Sequence, residues 1–492
     1  MNDATFRLTR KLGFGLRPGE PVPSDVVTWA TAQLAKVPEQ LGVAKVPLLG
    51  GAAGEGVSVA PWPEAYLLSL ERLVSNAVEM KKANVVADKK FGGDGARWGE
   101  YMDAARKDHH TLNWDSLRRS HQPVYGQQPV FDRFSFFWAN HFTVGANNEA
   151  DVVFAHYFAD AINANLVKDF ASLLYDVTTH PAMQNFLDGP YSIGPKSRLG
   201  RELRAQGKYA DINENLGREL LELHTLSPAA GYTQADIIGV AKILTGRAYT
   251  IQLPQKFPSK ERWKVFFSER HEPGPKQFMG IEYPEGKDAL RQLTDFLAGH
   301  NATILFISRK LAKHFVADEP TEDDVQFIAN AWREADGHLP AIHRAVIERA
   351  VAREPARKFQ MPEVWLYQML RSSGANLFNG WEQTSYKNDE WMLDGVPRSP
   401  RVLLDELGQS YWVVRQPNGY SEDRNDWISP EYLDRRLRYA QHAFTAGMPV
   451  MAVDELMDRM QVEDKTRILV ERGKSAVDKF VLLFCSPEMM EA

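Results

Sequence analysis

The sequence contains almost no cysteine, no long apolar run and no excess of positive charge. Cys485 is the only cysteine among 492 residues, which excludes an intramolecular disulfide and a metal site made of several thiolates. No stretch of about 18 apolar residues occurs, so the sequence predicts no membrane span. The 58 Lys and Arg are outnumbered by 64 Asp and Glu, giving a net charge of -6. We therefore expect no nucleic-acid partner, because no basic field is present to hold one.

Several short motifs of known chemistry are also missing. The sequence has no Gly-rich phosphate fingerprint, no zinc-finger spacing and no Gly-x-Ser-x-Gly elbow. The first residues, Met1 to Arg7, lack the apolar core of a signal peptide. The sequence thus predicts a soluble cytoplasmic protein. A periplasmic or secreted location is the alternative if the chain is a trimmed mature form.

Apolar residues recur with helical spacing through most of the chain. We expect a mainly α fold, one large multi-helical domain over residues 1–492. The pattern predicts helices at 130–142, 211–226, 302–316 and 463–485, among others. Three segments depart from it: a basic loop at 188–210, a small β-hairpin insert near 250–283 and a loop-rich aromatic region at 375–430.

The segment 211–226 has the densest set of chemically useful side chains. On a helix with about 100° per residue, Arg218, Glu219 and Glu222 share one face within an arc of about 140°. Glu219 and Glu222 are three residues apart, close enough to share a metal or a proton. His224 points away from both unless the helix ends first. The alternative is a solvated face with ion pairs between residues four apart.

Other polar residues stand out by their position. His141 extends an apolar helical stripe, where an imidazole either bonds a core acceptor or reaches a site. His271 and Lys276 flank a Pro-Gly turn that would present them together, or that is purely structural. The basic loop around Arg198 could clamp an anionic substrate or pair with the acidic helix.

Separated motifs from residue 7 to 490 resemble the bacterial family called domain of unknown function 1800. Two departures are Arg247, where the family usually has Trp, and Asn301, where it usually has Pro. The resemblance implies one family-wide unit, no assigned reaction and a partner from the sulfatase-like domain of unknown function 1501 family. The motifs that carry it are Gly13-Phe14-Gly15, Phe137-Trp138-Ala139-Asn140-His141-Phe142, His180-Pro181-Ala182, Asn213-Glu214-Asn215, Arg218-Glu219-Leu220-Leu221-Glu222-Leu223-His224, Thr245-Gly246, His271-Glu272-Pro273-Gly274, Lys310-Leu311-Ala312, His314-Phe315-Val316, Leu407-Gly408-Gln409 and Pro417-Asn418-Gly419-Tyr420.

The first hypothesis is a metal-dependent enzyme, an oxidoreductase or a hydrolase, whose site lies on the 130–142 and 211–226 helices. A divalent or iron-type metal would be the cofactor, with His141, Glu219 and Glu222 as ligands. The expected catalytic residues are Arg218, Glu222, His224 and His271. The expected substrate-binding residues are Arg198, Asn213, Asn215 and Lys276.

Two other functions stay open at this point. The chain could be a non-catalytic scaffold or the partner subunit of a neighbouring sulfatase-like protein, using its aromatic residues as contact anchors. It could also bind or process carbohydrate through exposed tryptophans of the 375–430 region. The residues for that third function would be Trp381, Trp391, Trp412 and Trp427.

Overall fold

The structure, a computed structural model, is mainly α-helical, as the sequence predicts. No helix within the described residues is both long and apolar enough to cross a membrane. The described residues are 4–38, 45–47, 56–58, 70–106, 119–145, 156–248, 265–375, 392–393, 396–397, 404–410, 414, 416–446 and 449–492.

Twenty α-helices have defined bounds within this part of the chain. A π-helical turn, Tyr157–Ile162, and a short helical stretch at 119–125 add to them. The helices are α1 Ala4–Leu12, α2 Val26–Ala32, α3 Leu70–Phe91, α4 Gly95–Arg106, α5 Pro129–His141, α6 Phe170–Thr179, α7 Pro181–Phe186, α8 Arg198–Ala205, α9 Asn215–Glu222, α10 Gln234–Leu244, α11 Ala289–Gly299, α12 Asn301–Phe315, α13 Glu322–Glu334, α14 Leu339–Ala352, α15 Pro362–Ser373, α16 Pro430–Ala446, α17 Val453–Met460, α18 Asp464–Glu471, α19 Ala476–Phe484 and α20 Pro487–Met490.

The strands in the described residues form four antiparallel pairs. In the predicted insert, the hairpin from Lys276 to Tyr283 is present, and a second pair joins residues 247–248 to 265–266. Residues 249–264 lie outside the described part of the chain. The strands are β1 Lys45–Pro47, β2 Gly56–Ser58, β3 Arg247–Ala248, β4 Val265–Phe266, β5 Lys276–Phe278, β6 Ile281–Tyr283, β7 Met392–Leu393 and β8 Val396–Pro397.

Helices α5 and α15 lie in the middle of the core. Every residue of α15 is buried, and Asn140 is the one residue of α5 that is not. Each helix begins with a proline, whose fixed φ suits the first helical position and whose missing N–H costs nothing there. A helix surrounded by core must bury its polar residues in pairs, and these two helices therefore carry the polar groups described below.

Helices α11 to α14 pack against one another in sequence, and side chains of α12 and α14 contact α5. Side chains cap the starts of α12 and α13. Thr321 and Asp324 form a reciprocal capping box at the start of α13. The His300 side chain accepts from the Ala302 N–H and caps α12. Asn301, where the family usually has Pro, thus leaves this helix start intact.

Buried Arg371 of α15 ties the N-terminal segment to the core. Its guanidinium donates to the carbonyls of Gly15, Pro123 and Gly126 and pairs with the Glu20 carboxylate at 3.0 Å. Gly15 has a φ of +80°, and a Cβ there would lie 2.9 Å from the Ser372 hydroxyl. The Gly13-Phe14-Gly15 motif is therefore explained by a close backbone approach.

Three predicted segments differ from the structure in their boundaries. The predicted helix 463–485 is two helices, α18 and α19, because Ser475 caps α19 with a capping box at Asp478. The predicted helix 211–226 is helical only as α9, which ends at Glu222. The segment 188–210, expected as a loop, contains helix α8.

Candidate functional site

Two polar side chains of α12, Lys310 and His314, lie one helical turn apart and face α5. Spacing of four residues places them on the same side of the helix. Lys310 contacts His141 at the end of α5, whereas His314 contacts Arg133 near its start. Each pair begins a separate polar cluster.

The first cluster is a connected network around His314. Arg133 Nε donates to His314 Nε2 at 2.9 Å, so the ring hydrogen is on Nδ1, which donates to Glu422 Oε1 at 2.6 Å. Lys358 Nζ lies 3.6 Å from Glu422 Oε2 and 3.0 Å from Asp318 Oδ1. Burial, together with the neighbouring cations, lowers the pKa of His314 to about 4. The ring is therefore neutral at pH 7.

A small cleft, partly open to solvent, lies against this network between α5 and α15. Glu363 of α15 is buried in its wall. Arg119 Nη2 lies 3.3 Å from Glu363 Oε1, and Gln409 Nε2 donates to Glu363 Oε2 at 3.3 Å. The cleft is lined by Arg119, Phe136, Ala139, Asn140, Thr143, Val144, His314, Met361, Glu363, Val364, Gln409, Ser410, Val414, Tyr420 and Glu422.

The two carboxylates of the cleft, Glu363 and Glu422, have pKa values shifted in opposite directions. Burial raises the pKa of Glu363 to about 7, against the smaller opposing effect of Arg119. Burial would also raise the pKa of Glu422, but His314, Lys358 and Arg133 hold it well below its usual range. At neutral pH Glu422 is ionised while Glu363 is partly protonated. One group can therefore donate a proton while the other stays an anion.

The motifs that contain Asn140 and Tyr420 form one wall of the cleft and are joined by two hydrogen bonds. The Asn140 side chain accepts from the Tyr420 N–H at 2.7 Å and donates to the Tyr420 carbonyl at 2.9 Å. Gly419 has a φ of +71°, and a Cβ there would lie 2.2 Å from the Asn140 carbonyl oxygen. Only glycine allows this approach, which aligns Tyr420 and Glu422 along the cleft.

The second cluster contains Lys310, His141 and His224. Lys310 Nζ donates to His141 Nδ1 at 2.9 Å, so His141 Nε2 carries the hydrogen and donates to the His224 carbonyl at 3.1 Å. Burial, with Lys310 adding to it, lowers the pKa of His141 and brings that of His224 to about 3. Both rings are therefore neutral. His224 reaches this place because α9 ends at Glu222, two residues earlier.

The acidic face of α9 is an ion-paired, partly exposed surface. Arg218 lies 3.2 Å from both Glu214 and Glu222, and it also donates to the Gln234 side chain. Burial and the nearby Glu222 charge raise the pKa of Glu219. Among the described residues, no three His, Cys, Asp or Glu side chains lie close enough to hold a metal. The predicted ligands His141, Glu219 and Glu222 therefore do not form a three-ligand group.

His271 and Lys276 meet, as the turn predicts, within a closed hydrogen-bond network. His271 Nδ1 donates to the Thr245 carbonyl at 2.8 Å, and Lys276 Nζ donates to His271 Nε2 at 2.7 Å. The Glu272 carboxylate accepts from the Lys196 N–H. Arg247 is buried and donates to the Lys287 carbonyl. These contacts fix the turn against the 188–210 segment.

The remaining predicted binding residues lie on the surface near α9. Asn213 Oδ1 accepts from the Asn215 N–H at 2.9 Å, and Asn215 Nδ2 lies 3.4 Å from Asp188 Oδ2. Arg198 is exposed and lies 3.6 Å from Glu202. Trp427 is 5% exposed, and its indole donates to the Ser421 carbonyl. It therefore offers no exposed ring to a sugar. Trp381, Trp391 and Trp412 lie outside the described residues.

Sequence reasoning missed the residues that define the cleft, namely Glu363, Glu422 and Arg119. A faint signal existed for Glu363, because a carboxylate in the first turn of an otherwise apolar helix needs a buried partner. Glu422 follows the Pro417–Tyr420 motif by two residues. Nothing in the sequence indicates that these segments meet.

Together, the fold and the site define a large mainly α protein with a polar cleft between two buried helices. The chain belongs to the family described as Protein of unknown function (DUF1800), which it matches over residues 7–491. No curated protein and no solved structure matches it.

Proposed function

We propose that the protein is an enzyme that carries out general acid–base chemistry, of hydrolytic type, in the cleft. The observation that carries the proposal is the presence of two carboxylates, Glu363 and Glu422, in one cleft with different partners. Glu363 is the proton donor, because burial raises its pKa to about 7 and leaves it partly protonated at neutral pH. Glu422 is the anion that stabilises positive charge, since its pKa lies well below its usual range and its Oε2 accepts no hydrogen bond within the described residues.

The lining residues support a polar, uncharged substrate. Asn140, Gln409, Ser410 and Tyr420 give the cleft polar walls, in which Asn140, Gln409 and Tyr420 are held by hydrogen bonds to neighbouring residues. Phe136 and Val364 supply apolar walls. A cleft with a few convergent polar groups on an apolar frame is typical of small-molecule sites. Residues of four of the family motifs, containing Asn140, His314, Gln409 and Tyr420, line it, which supports a shared use.

The metal-dependent alternative is a weaker proposal. It requires His141, Glu219 and Glu222 to converge on one ion, and both ring nitrogens of His141 already have protein partners. The scaffold function and the partner from the domain of unknown function 1501 family rest on sequence alone. Carbohydrate processing is compatible with the cleft, since glycoside hydrolysis uses paired carboxylates.

The test is hydrolysis of nitrophenyl glycosides, esters and phosphoesters by the wild-type chain and Glu363→Gln. Gln matches the protonated acid in shape, so we expect an unchanged melting temperature and a loss of about 100-fold or more in kcat/KM. Wild-type activity should fall as the pH rises through about 7, where Glu363 loses its proton, and this limb should be absent in the variant. Glu222→Gln is the control and keeps full activity. Equal activity in wild type and Glu363→Gln would overturn the proposal.

A further inference from the structure

The cluster of Lys310, His141 and His224 is separate from the cleft and is walled by aromatic rings. The His224 ring centroid lies 6.2 Å from that of His141 and 5.2 Å from that of Phe142. Lys310 Nζ lies 5.6 Å from the centre of the Phe306 ring. None of the three polar residues lines the cleft. Their contacts therefore need an explanation of their own.

His224 is a fully buried side chain with unused hydrogen-bonding capacity. Its relative exposure is 0%, and neither ring nitrogen has a hydrogen-bond partner among the described residues. A neutral imidazole carries one donor and one acceptor, so both are idle. Buried polar groups are rarely left in this condition in native proteins. The ring is placed for a group that the described residues do not supply.

Lys310 adds a positive charge that contacts no counter-ion within the described part of the chain. Its Nζ has three hydrogens, and His141 Nδ1 is the one acceptor that the described residues provide. Glu422 acts on it without forming an ion pair, while burial lowers the pKa of Lys310 to about 8. A partly buried ammonium without a paired carboxylate is unfavourable, and an anion in contact with it would offset that cost.

We infer that Lys310, His141 and His224 form a binding site for a small anion that presents carboxylate or phosphate oxygens. The Lys310 ammonium and a His224 N–H are the donors that would hold those oxygens. His141 orients Lys310, because its other nitrogen is fixed on the His224 carbonyl. A metal ion fits this cluster less well, since the ammonium repels a cation.

Isothermal titration of the wild-type chain with acetate and with inorganic phosphate tests this site. Binding of acetate identifies a planar carboxylate ligand, and binding of phosphate identifies a tetrahedral one. In Lys310→Met we expect at least tenfold weaker binding of the preferred probe, with a similar loss in His224→Phe. Lys313→Met is the matched control, because Lys313 lies on the same helix but pairs with Asp423 at 3.4 Å. It should bind normally.

A second measurement keeps the test decisive if a variant does not fold. In the wild-type chain with ¹⁵N-labelled histidine, the preferred probe should shift the His224 ring nitrogens and leave those of His343, which bonds Trp138, unchanged. Glu363→Gln should still bind the anion, so failure of the cleft proposal and failure of this one are distinguishable. No binding of either probe, or equal binding by Lys310→Met, would overturn the anion site.

Discussion

The two polar clusters along α12 differ in how their buried charges are satisfied. Around His314, two cations meet two carboxylates, and each ring nitrogen of the histidine has a partner. Around Lys310, one turn earlier, a partly buried ammonium and a buried imidazole contact no carboxylate among the described residues. Both clusters lie on the same pair of helices. We infer that neighbouring polar groups compensate charge within the protein in one cluster and bind a ligand in the other.

The largest effect is expected from breaking the satisfied cluster. Glu422→Gln removes the anion that compensates Arg133, which is 1% exposed and otherwise faces neutral partners. Leaving a buried charge unpaired should lower the free energy of unfolding by about 3 to 5 kcal/mol. Urea denaturation followed by circular dichroism measures it.

The neighbouring carboxylate provides the control for that experiment. Asp423→Asn breaks an exposed pair with Lys313, so its cost should stay below about 1 kcal/mol. If Glu422→Gln were no more costly than Asp423→Asn, the His314 network would not hold the fold together. Its contrast with the Lys310 cluster would then disappear.

An intermediate effect on stability is expected from comparing two buried histidines, one with a hydrogen-bond partner and one without. His343 accepts a hydrogen bond from the Trp138 indole at 2.9 Å, whereas His224 has no such bond. At pH 8, His343→Phe should cost about 1 to 3 kcal/mol, because it leaves a buried indole N–H unpaired. His224→Phe should be nearly neutral or stabilising. Thermal unfolding of both variants measures this, and an equal loss in both would contradict the contrast.

His224 and His343 should also make the stability of the protein depend on pH. The folded pKa of both His224 and His343 is lowered to about 3 by burial, against about 6.5 in the unfolded chain. The unfolded state binds more protons between these values, so stability falls as the pH drops from about 6.5 towards 3. Each His→Phe change should reduce that slope by about 1.4 kcal/mol per pH unit. An unchanged slope in His224→Phe would show that the ring is already charged.

The helices were predictable from sequence because their periodicity is local. Helix α5 was expected at 130–142 and lies at 129–141, and α12 was expected at 302–316 and lies at 301–315. The position of His224 was not predictable, because the end of α9 at Glu222 depends on tertiary contacts. Glu363 and Glu422 come from segments far apart in sequence, and only packing brings them to one cleft. The motifs therefore pointed to His141, His224 and His314, but not to the residues that contact them in the folded chain.

The smallest effect is expected on the acidic face of α9. Arg218 lies 3.2 Å from Glu214 as well as from Glu222, so Glu222→Gln leaves one pair intact and relieves the repulsion between Glu222 and Glu219. Because these side chains are about one-third exposed, the free energy of unfolding should change by less than about 0.5 kcal/mol. Urea denaturation at low and high salt checks this, with a smaller change at high salt. A stability loss above about 2 kcal/mol would contradict this expectation and make the ion pair structural. A loss of hydrolytic activity matching that of Glu363→Gln would move the site from the cleft to this helix. Such a result would restore the metal-centred hypothesis that the sequence alone suggests.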